Sequence, residues 1–151
     1  MKIGEICSRV VVVAKSETSV SEVAKLMRTH HVGCVVVADE KPDGVRPIGI
    51  ITDRDLVVEV LAQEVPLDAV ALVDVMSHGP IVAREDDDLW ETLQRMRDNG
   101  VRRSPVVNAQ GLLVGLVSVD DMLDLLAEEL NDLVKLINQE QKQERKARSM
   151  G

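Results

Sequence analysis

Short β-branched runs and helix-spaced apolar residues alternate along the first half of the chain. The run Val10–Val13 predicts a strand. A helix is predicted next, because the segment opens with the capping-box pattern Ser19-Val20-Ser21-Glu22. Its apolar side chains recur at three- and four-residue spacing, at Val20, Val23, Ala24 and Met27.

Two more strands and a second helix follow. The strands are predicted at Cys34–Ala38 and Ile48–Thr52, and the helix at about Arg54–Ala62. A polar loop is expected between the two strands, because that stretch contains Pro42, Gly44 and Pro47. The predicted order is therefore strand, helix, strand, strand, helix.

The second half of the chain repeats this order. Ile81-Val82 predicts a weak strand, and Asp88 is a good cap for a helix that Gly100 would end. Strands are predicted at Ser104–Val107 and Leu112–Ser118, joined by the turn Asn108–Gly111. The final helix is predicted at Asp120–Leu136, and the polar tail after Ile137 is expected to be frayed or disordered.

Direct comparison of the two halves shows an internal repeat. A shift of 69 residues places Glu5–Asp39 over Asp74–Asn108, and eight of the 35 pairs are identical. Matching by composition alone would give about two identities. Each small sheet with helices on one face leaves its other face uncovered, so the two units are expected to pack together.

Composition narrows the class of protein. Trp90 is the only aromatic residue, which excludes binding by stacking of bases on a row of rings. The net charge is −8, and the basic segment Gln141–Gly151 leaves −11 on residues 1–140, which opposes a broad nucleic-acid or membrane footprint. Cys7 and Cys34 match no metal or redox spacing. A cytoplasmic protein with reduced thiols and no metal site is expected.

One motif occurs at the same place in both repeats. Gly49-Ile50-Ile51-Thr52-Asp53-Arg54-Asp55 matches Gly115-Leu116-Val117-Ser118-Val119-Asp120-Asp121. A hydroxyl residue followed three positions later by an acid is typical of a helix cap. The same geometry could bind a ligand, because a carboxylate can accept two hydrogen bonds from a ribose diol and helix amides favour phosphate. Two copies of the motif favour the ligand site over a cap alone.

The repeat length, the element order and the two motifs resemble a tandem cystathionine-β-synthase (CBS) domain pair, or Bateman module, over about residues 5–128. The resemblance implies an α/β (α+β) fold of two βαββα repeats packed through their sheets with pseudo-two-fold symmetry. We expect repeat 1 at residues 1–70, repeat 2 at 71–128, and a C-terminal helical extension with a basic tail at 129–151. The family's members commonly bind adenosine-containing ligands between repeats and commonly form dimers.

The resemblance also implies site residues in two clefts. In one cleft Asp121 would hold the ribose and Ser118 the ribose or phosphate, while Arg102 or Arg103 would hold phosphate. Because side chains alternate along a strand, we do not expect both arginines to face that cleft. Its adenine walls would be Cys7, Val12, Val32 and Gly33. The other cleft would use Asp55, Thr52 and Arg54, with walls at Met76, Ile81, Val101 and Arg102. The positions that match Arg102 and Arg103 are Gly33 and Cys34, so unequal clefts are expected, with phosphate favoured beside Asp121.

The sequence contains no catalytic constellation. The leading hypothesis is a non-enzymatic regulatory module that binds AMP, ADP, ATP or NAD, with magnesium only as a companion of the nucleotide. It would signal through dimer geometry to a separate effector protein. The alternatives are a structural dimerisation module with empty clefts, a binder of S-adenosylmethionine, and a nucleic-acid-associated regulator that uses the basic tail. The C-terminal helix carries a long apolar stripe that needs a partner surface.

Overall fold

The helices and strands of the first repeat lie in the predicted order. A computed structural model describes all residues, 1–151. The elements are α1 (Ile3–Ile6), β1 (Val13–Ala14), α2 (Val20–His30), β2 (Cys34–Lys41), β3 (Gly44–Thr52) and α3 (Asp53–Asp55). The helix α3 continues as π-helical turns over Leu56–Leu61, and a 3₁₀ turn follows at Leu67–Ala69.

The second repeat has the same order but ends in a much longer helix. Its elements are α4 (Leu72–Val75), β4 (Ser77–His78), β5 (Ala83–Arg84), α5 (Leu89–Asp98), β6 (Arg103–Val107), β7 (Leu113–Ser118) and α6 (Val119–Met150). The chain forms two compact units, Met1–Val117 and Ser118–Gly151. The predicted mixed α/β fold with a C-terminal helix is confirmed.

The caps of α2 and α5 are those that the sequence predicts. Ser19 Oγ accepts a hydrogen bond from Glu22 N at 3.1 Å, and Ser19 N donates to Glu22 Oε2 at 3.1 Å. Asp88 Oδ2 accepts from Trp90 N at 2.9 Å. Gly100 follows α5 with φ +64°, a left-handed conformation that glycine adopts without strain. Local sequence therefore fixes where both helices begin and where the second one ends.

Two sheets contain the seven strands. The first has the order β1-β2-β3-β4, with β1 parallel to β2 and the other pairs antiparallel. The second has the order β5-β6-β7, with β5 parallel to β6. The first sheet is not built from one repeat alone, because β4 belongs to the second repeat yet pairs with β3.

The leading segment of each repeat packs on the other repeat. Ser77 of β4 pairs with Ile50 of the first repeat. At the equivalent place in the other half, Ser8 exchanges two backbone hydrogen bonds of 2.9 Å with Leu116. The helix α1 follows the same rule, since Ile3 N donates to Asp87 O at 3.0 Å. These exchanges join the two repeats through backbone hydrogen bonds.

Glycine is required where the exchanged segments cross the last strands. A Cβ on Gly49 would lie 2.7 Å from Met76 Sδ and 2.9 Å from the backbone oxygen of Ser77. A Cβ on Gly115 would lie 2.7 Å from Cys7 Sγ and 2.8 Å from the backbone oxygen of Ser8. The glycine that opens each motif is therefore a packing requirement.

The main hydrophobic cluster also draws on both repeats. Its buried members are aliphatic side chains and methionines around β2, together with Leu72 of α4 and Met76 directly after that helix: Ala14, Val23, Met27, Val35, Val37, Ile51, Leu72 and Met76. Burial of aliphatic side chains contributes about 1.5–3 kcal/mol each. The cluster therefore stabilises the packing of α4 on the first repeat as well as the first repeat itself.

The expected boundaries are wrong at the first strand and at the first hairpin. The strand is β1 at Val13–Ala14, since only these residues pair with β2, and Val10 is 86% exposed. The expected polar loop is a tight turn, with β2 reaching Lys41 and β3 starting at Gly44. A register shift between Val37 and Ala38 accommodates Pro47 within β3, because a bulge tolerates the missing backbone donor of proline.

The expected frayed tail is also wrong. The helix α6 runs without interruption from Val119 to Met150. Straight-chain residues such as Gln, Glu, Lys and Arg dominate the segment after Ile137, and these have high helix propensity. The high helix propensity of these residues therefore explains why α6 continues beyond the end of its apolar stripe.

Cys34 begins β2 and is buried, in agreement with its interpretation as a small hydrophobic residue. Burial raises the pKa of its thiol, and the carboxylates of Asp55 and Asp53 raise it further, while the positive charge of Arg103 lowers it. The thiol therefore stays protonated at neutral pH.

The glycine requirement predicts the effect of adding one methyl group. We expect Gly49→Ala and Gly115→Ala each to lower the free energy of unfolding by about 1–3 kcal/mol, because a backbone oxygen cannot move aside cheaply. Urea denaturation followed by circular dichroism measures this. Thr29→Ala, on an exposed position of α2, is the control and should change stability by less than about 0.5 kcal/mol. Unchanged midpoints for both glycine variants would contradict the proposed crossing.

The state of Cys34 predicts slow alkylation. In a Cys7→Ser background, iodoacetamide should label Cys34 of the folded chain at least about tenfold more slowly than in urea, because the thiolate is the reactive form. Raising the pH from about 7 to 9 should speed labelling of the unfolded chain far more than that of the folded chain. Mass spectrometry reads both rates. Labelling of the folded chain at the unfolded rate would show that the thiol is accessible and ionised.

Candidate functional site

The first motif forms a reciprocal cap at the junction of β3 and α3. Thr52 Oγ1 accepts a hydrogen bond from Asp55 N at 3.2 Å, and Thr52 N donates to Asp55 Oδ2 at 2.9 Å. Both residues are half-buried. The cap fixes the direction of the Asp55 carboxylate and uses one of its oxygens, which leaves acceptor capacity on Oδ1.

The second motif forms the same cap at the start of α6. Asp121 N donates to Ser118 Oγ at 3.1 Å, and Ser118 N donates to Asp121 Oδ2 at 2.9 Å. Ser118 Oγ also lies 2.9 Å from Asp121 Oδ2. The capping role weighed from the sequence is therefore present in both copies. A cap alone does not separate a ligand site from a structural motif, so the surroundings of each aspartate decide.

A cavity of about 350 Å³ adjoins the first motif. Residues from both repeats line it, since the end of β3 and α3 come from one repeat while β4 and the segments before β5 and β6 come from the other. The lining residues are Ile50, Thr52, Asp53, Arg54, Asp55, Ser77, Pro80, Ile81, Gly100, Val101, Arg102 and Arg103. This volume is of the order of known small-molecule sites.

The lining divides into an apolar part and a charged part. Ile50, Pro80, Ile81 and Val101 supply aliphatic surface, which suits a planar base in a protein without ring side chains. The charged part holds three guanidinium groups and two carboxylates, from Arg54, Arg102, Arg103, Asp53 and Asp55. The excess of one positive charge favours an anionic group, and guanidinium forks match phosphate geometry.

The two carboxylates have different surroundings. Asp53 lies against Gly33, where a Cβ would come within 2.9 Å of Asp53 Oδ2. Its backbone N donates to Gly33 O at 2.9 Å, and its Oδ1 accepts from Arg54 N at 2.8 Å. Gly33 therefore makes room for Asp53, a role that the sequence interpretation did not give it. Asp55 is the carboxylate whose direction the Thr52 cap sets.

Arg102 lines the cavity beside Asp55, where the sequence interpretation also placed it as a wall, and Arg103, which was assigned only to the Asp121 cleft, lines the same cavity. Both arginines line the cavity, and the positive charge of Arg103 opposes the rise that burial causes in the pKa of the Cys34 thiol. Strand alternation does not forbid this arrangement, because β6 begins at Arg103 and Arg102 belongs to the preceding turn. The turn follows Gly100, whose left-handed backbone redirects the chain after α5.

Other predicted residues lie at the cavity or apart from it. Thr52, Arg54, Ile81 and Val101 line it, as expected for this cleft. Met76 is buried beside Gly49 and does not line the cavity. The walls expected for the other cleft are partly buried within the first unit: Cys7 beside Gly115, and Val12 and Val32 against the main hydrophobic cluster.

Sequence reasoning missed several contributors. Asp53, Ser77 and Pro80 line the cavity. Ser104 positions the wall, because its buried hydroxyl donates to the carbonyl oxygen of Ile81 at 2.6 Å. A serine within the apolar strand Arg103–Val107 was the available signal, since a buried hydroxyl must find an acceptor.

A larger groove of about 650 Å³ lies between α2 and the segment from Leu56 to Leu67. Aliphatic side chains dominate its lining, with Ser21 and Glu64 as the polar members. This groove offers no cation for a phosphate. The larger volume of this groove therefore does not identify it as the ligand site. The smaller cavity combines arginines with a capped carboxylate.

No group of three or more His, Cys, Asp or Glu side chains is arranged to hold a metal ion. No helix has the length and hydropathy needed to cross a membrane.

Comparison with known proteins gives the family. The model of the CBS domain matches residues 3–62 and 72–128. A curated relative, Uncharacterized protein MK0525 of Methanopyrus kandleri, is 38% identical over 125 residues, which are 83% of this chain and 62% of that protein. The chain therefore spans less than two thirds of that relative's length.

Solved structures agree with this fold. The CBS domain pair of protein MJ0100, in complex with 5′-methylthioadenosine and S-adenosyl-L-methionine, superposes with a TM-score of 0.73 at 26% identity, covering 85% of this chain and 98% of that one. Protein PAE2072 from Pyrobaculum aerophilum, complexed with AMP, gives a TM-score of 0.69 at 27% identity, covering 80% of this chain and 89% of that one. With two matched copies covering most of its length, this chain belongs to the CBS domain family and contains a tandem CBS pair.

Proposed function

We propose that the cavity beside Asp55 binds a phosphorylated adenine nucleotide and that the protein is a non-enzymatic regulatory module. The observation that carries the proposal is the meeting of a capped carboxylate, three arginines and an aliphatic wall in one cavity of about 350 Å³. Each feature matches one part of a nucleotide: sugar, phosphate and base.

Each part of the ligand has a distinct partner in this proposal. Asp55 accepts hydrogen bonds from the ribose diol, since the Thr52 backbone already fixes its other oxygen. Arg102 and Arg103 bind phosphate, with Arg54 as a third cation. Ile81 and Val101 cover the base, and the Ser104 hydroxyl keeps the Ile81 backbone in place.

The charge of the cavity favours AMP, ADP, ATP or NAD over S-adenosylmethionine. S-adenosylmethionine has no phosphate and carries a sulfonium cation, which three guanidinium groups would repel. The relatives with AMP and with S-adenosyl-L-methionine support an adenosine ligand in general. The arginines support the phosphorylated class. Magnesium would enter only with a di- or triphosphate.

Signalling is the second part of the proposal. Ligand binding would shift the equilibrium between two arrangements of a homodimer by its differential affinity for them, and an effector protein in the cytoplasm would respond. The Ser118–Asp121 motif remains a predicted second site, with Cys7, Val12, Val32 and Gly33 as its predicted walls. A structural dimerisation module is the competing function, because the caps of both motifs exist without a ligand.

Binding tests separate these functions. We expect AMP to raise the melting temperature of the chain, since a ligand at about 100 times its Kd stabilises by about 2.7 kcal/mol. Asp55→Asn should weaken AMP binding by about 10- to 100-fold, because the amide keeps an oxygen for the Thr52 cap but loses the charged acceptor. Calorimetric titration with AMP, ATP, NAD and S-adenosylmethionine measures this.

Asp121→Asn is the matched control, because it changes the same atom in the same cap of the other motif. If Asp55→Asn is silent and Asp121→Asn abolishes binding, the second motif is the nucleotide site. If no ligand binds the unaltered chain, the structural dimerisation module is the better interpretation. Arg102→Gln and Arg103→Gln should weaken AMP binding while leaving adenosine binding nearly unchanged, which tests the phosphate role.

A further inference from the structure

The helix α6 carries a row of apolar side chains with heptad spacing. Its members alternate four and three residues apart, as in a coiled-coil seam: Val119, Leu123, Leu126, Leu130, Leu133 and Ile137. Leu123, Leu130 and Leu133 are 56%, 63% and 56% exposed. At 1.5 Å per residue the row extends about 27 Å along the helix. An exposed apolar row of this length needs a covering surface.

We infer that α6 pairs antiparallel with α6 of a second copy of this chain. The spacing of the row reads the same in both directions, since the intervals are four, three, four, three and four. Two copies in opposite directions therefore align all six residues in layers. Val119 meets the partner's Ile137, Leu123 meets the partner's Leu133, and Leu126 meets the partner's Leu130. Such a self-complementary surface produces a closed two-fold dimer.

Charge favours the antiparallel direction over the parallel one. Residues 119–139 carry six carboxylates and one lysine, a net −5, while residues 140–150 carry a net +2. Either direction places the two acidic segments side by side. Parallel pairing would in addition align Glu140 and Glu144, which continue the heptad, with their own copies. Antiparallel pairing ends at Ile137, so these glutamates lie beyond the partner's row, and opposed helix dipoles attract.

A residue that flanks the row also favours the antiparallel direction. Ala127 occupies a flanking position at the centre of the row, where the antiparallel arrangement sets it next to the partner's Ala127. A small side chain there lets the two helix backbones approach closely. In a parallel pair the same two residues would lie on opposite flanks of the interface. Ala127 is therefore a reporter of direction.

An anionic membrane surface is a poorer occupant for the row. Surface-bound amphipathic helices have a basic polar face, whereas the polar residues around this row are mainly acidic. The basic residues follow the row, at Lys142, Arg145, Lys146 and Arg148. The pairing does not depend on the proposed nucleotide binding.

Oligomeric state tests the pairing. Sedimentation equilibrium of the full chain should give a dimer, and Leu126→Glu with Leu130→Glu should raise its dissociation constant by about 100-fold or more, because unpaired charges would be buried at the central layers. Asn131→Glu, outside the row, is the matched control and should leave the dimer intact. Circular dichroism checks that each variant is folded. A monomeric parent chain, or a double variant that remains dimeric, would overturn the inference.

Cross-linking tests the direction. In a Cys7→Ser background, Ala127→Cys should form a covalent dimer with a short bismaleimide, while Glu128→Cys, one residue further and facing outward, should form little. The Cys7→Ser chain without an added cysteine gives the background from Cys34. Equal cross-linking at positions 127 and 128, or none at either in a dimeric sample, would refute the antiparallel arrangement.

Discussion

The exchange of leading segments between the two repeats is the constraint on which the first unit depends. Ser8 and Ser77, 69 residues apart, each pair through the backbone with the last strand of the other repeat. Two glycines, Gly49 and Gly115, make the crossings possible, because a side chain there would meet a backbone oxygen. Neither repeat can complete its own packing, and this explains why both copies of the motif in this chain open with glycine.

The same exchange creates the cavity that is proposed to bind the ligand. The cap of Thr52 and Asp55 belongs to one repeat, while the arginines and the aliphatic wall belong to the other. The two motifs have equivalent caps, so the difference between the sites comes from their surroundings. Arg102 and Arg103 stand where the other repeat has Gly33 and Cys34, and Gly33 is needed to admit the Asp53 carboxylate. The two motifs therefore have equivalent backbone positions, but the residues around them differ in charge.

The long helix α6 differs from the helix that closes the first repeat. Its capped start repeats the device that begins α3, but its length and exposed heptad row have no counterpart in the first repeat, where the equivalent segment is a short π-helical turn. Most of its residues gain no stability from burial within the chain, and propensity maintains the helix to Met150. Pairing with a second copy would bury the row and relate two CBS pairs by a two-fold axis.

The sequence by itself determined the repeat, the caps at Ser19 and Asp88, the helix end at Gly100 and the two junction motifs, because these depend on local spacing and backbone preference. The tertiary structure decided which residues meet. It brought Arg103 to the cavity of Asp55 beside Arg102, set Ser104 against Ile81, and tightened the loop at Pro42 into a hairpin. Such contacts join residues far apart in the chain, and their partners follow from packing between repeats, which local spacing does not encode.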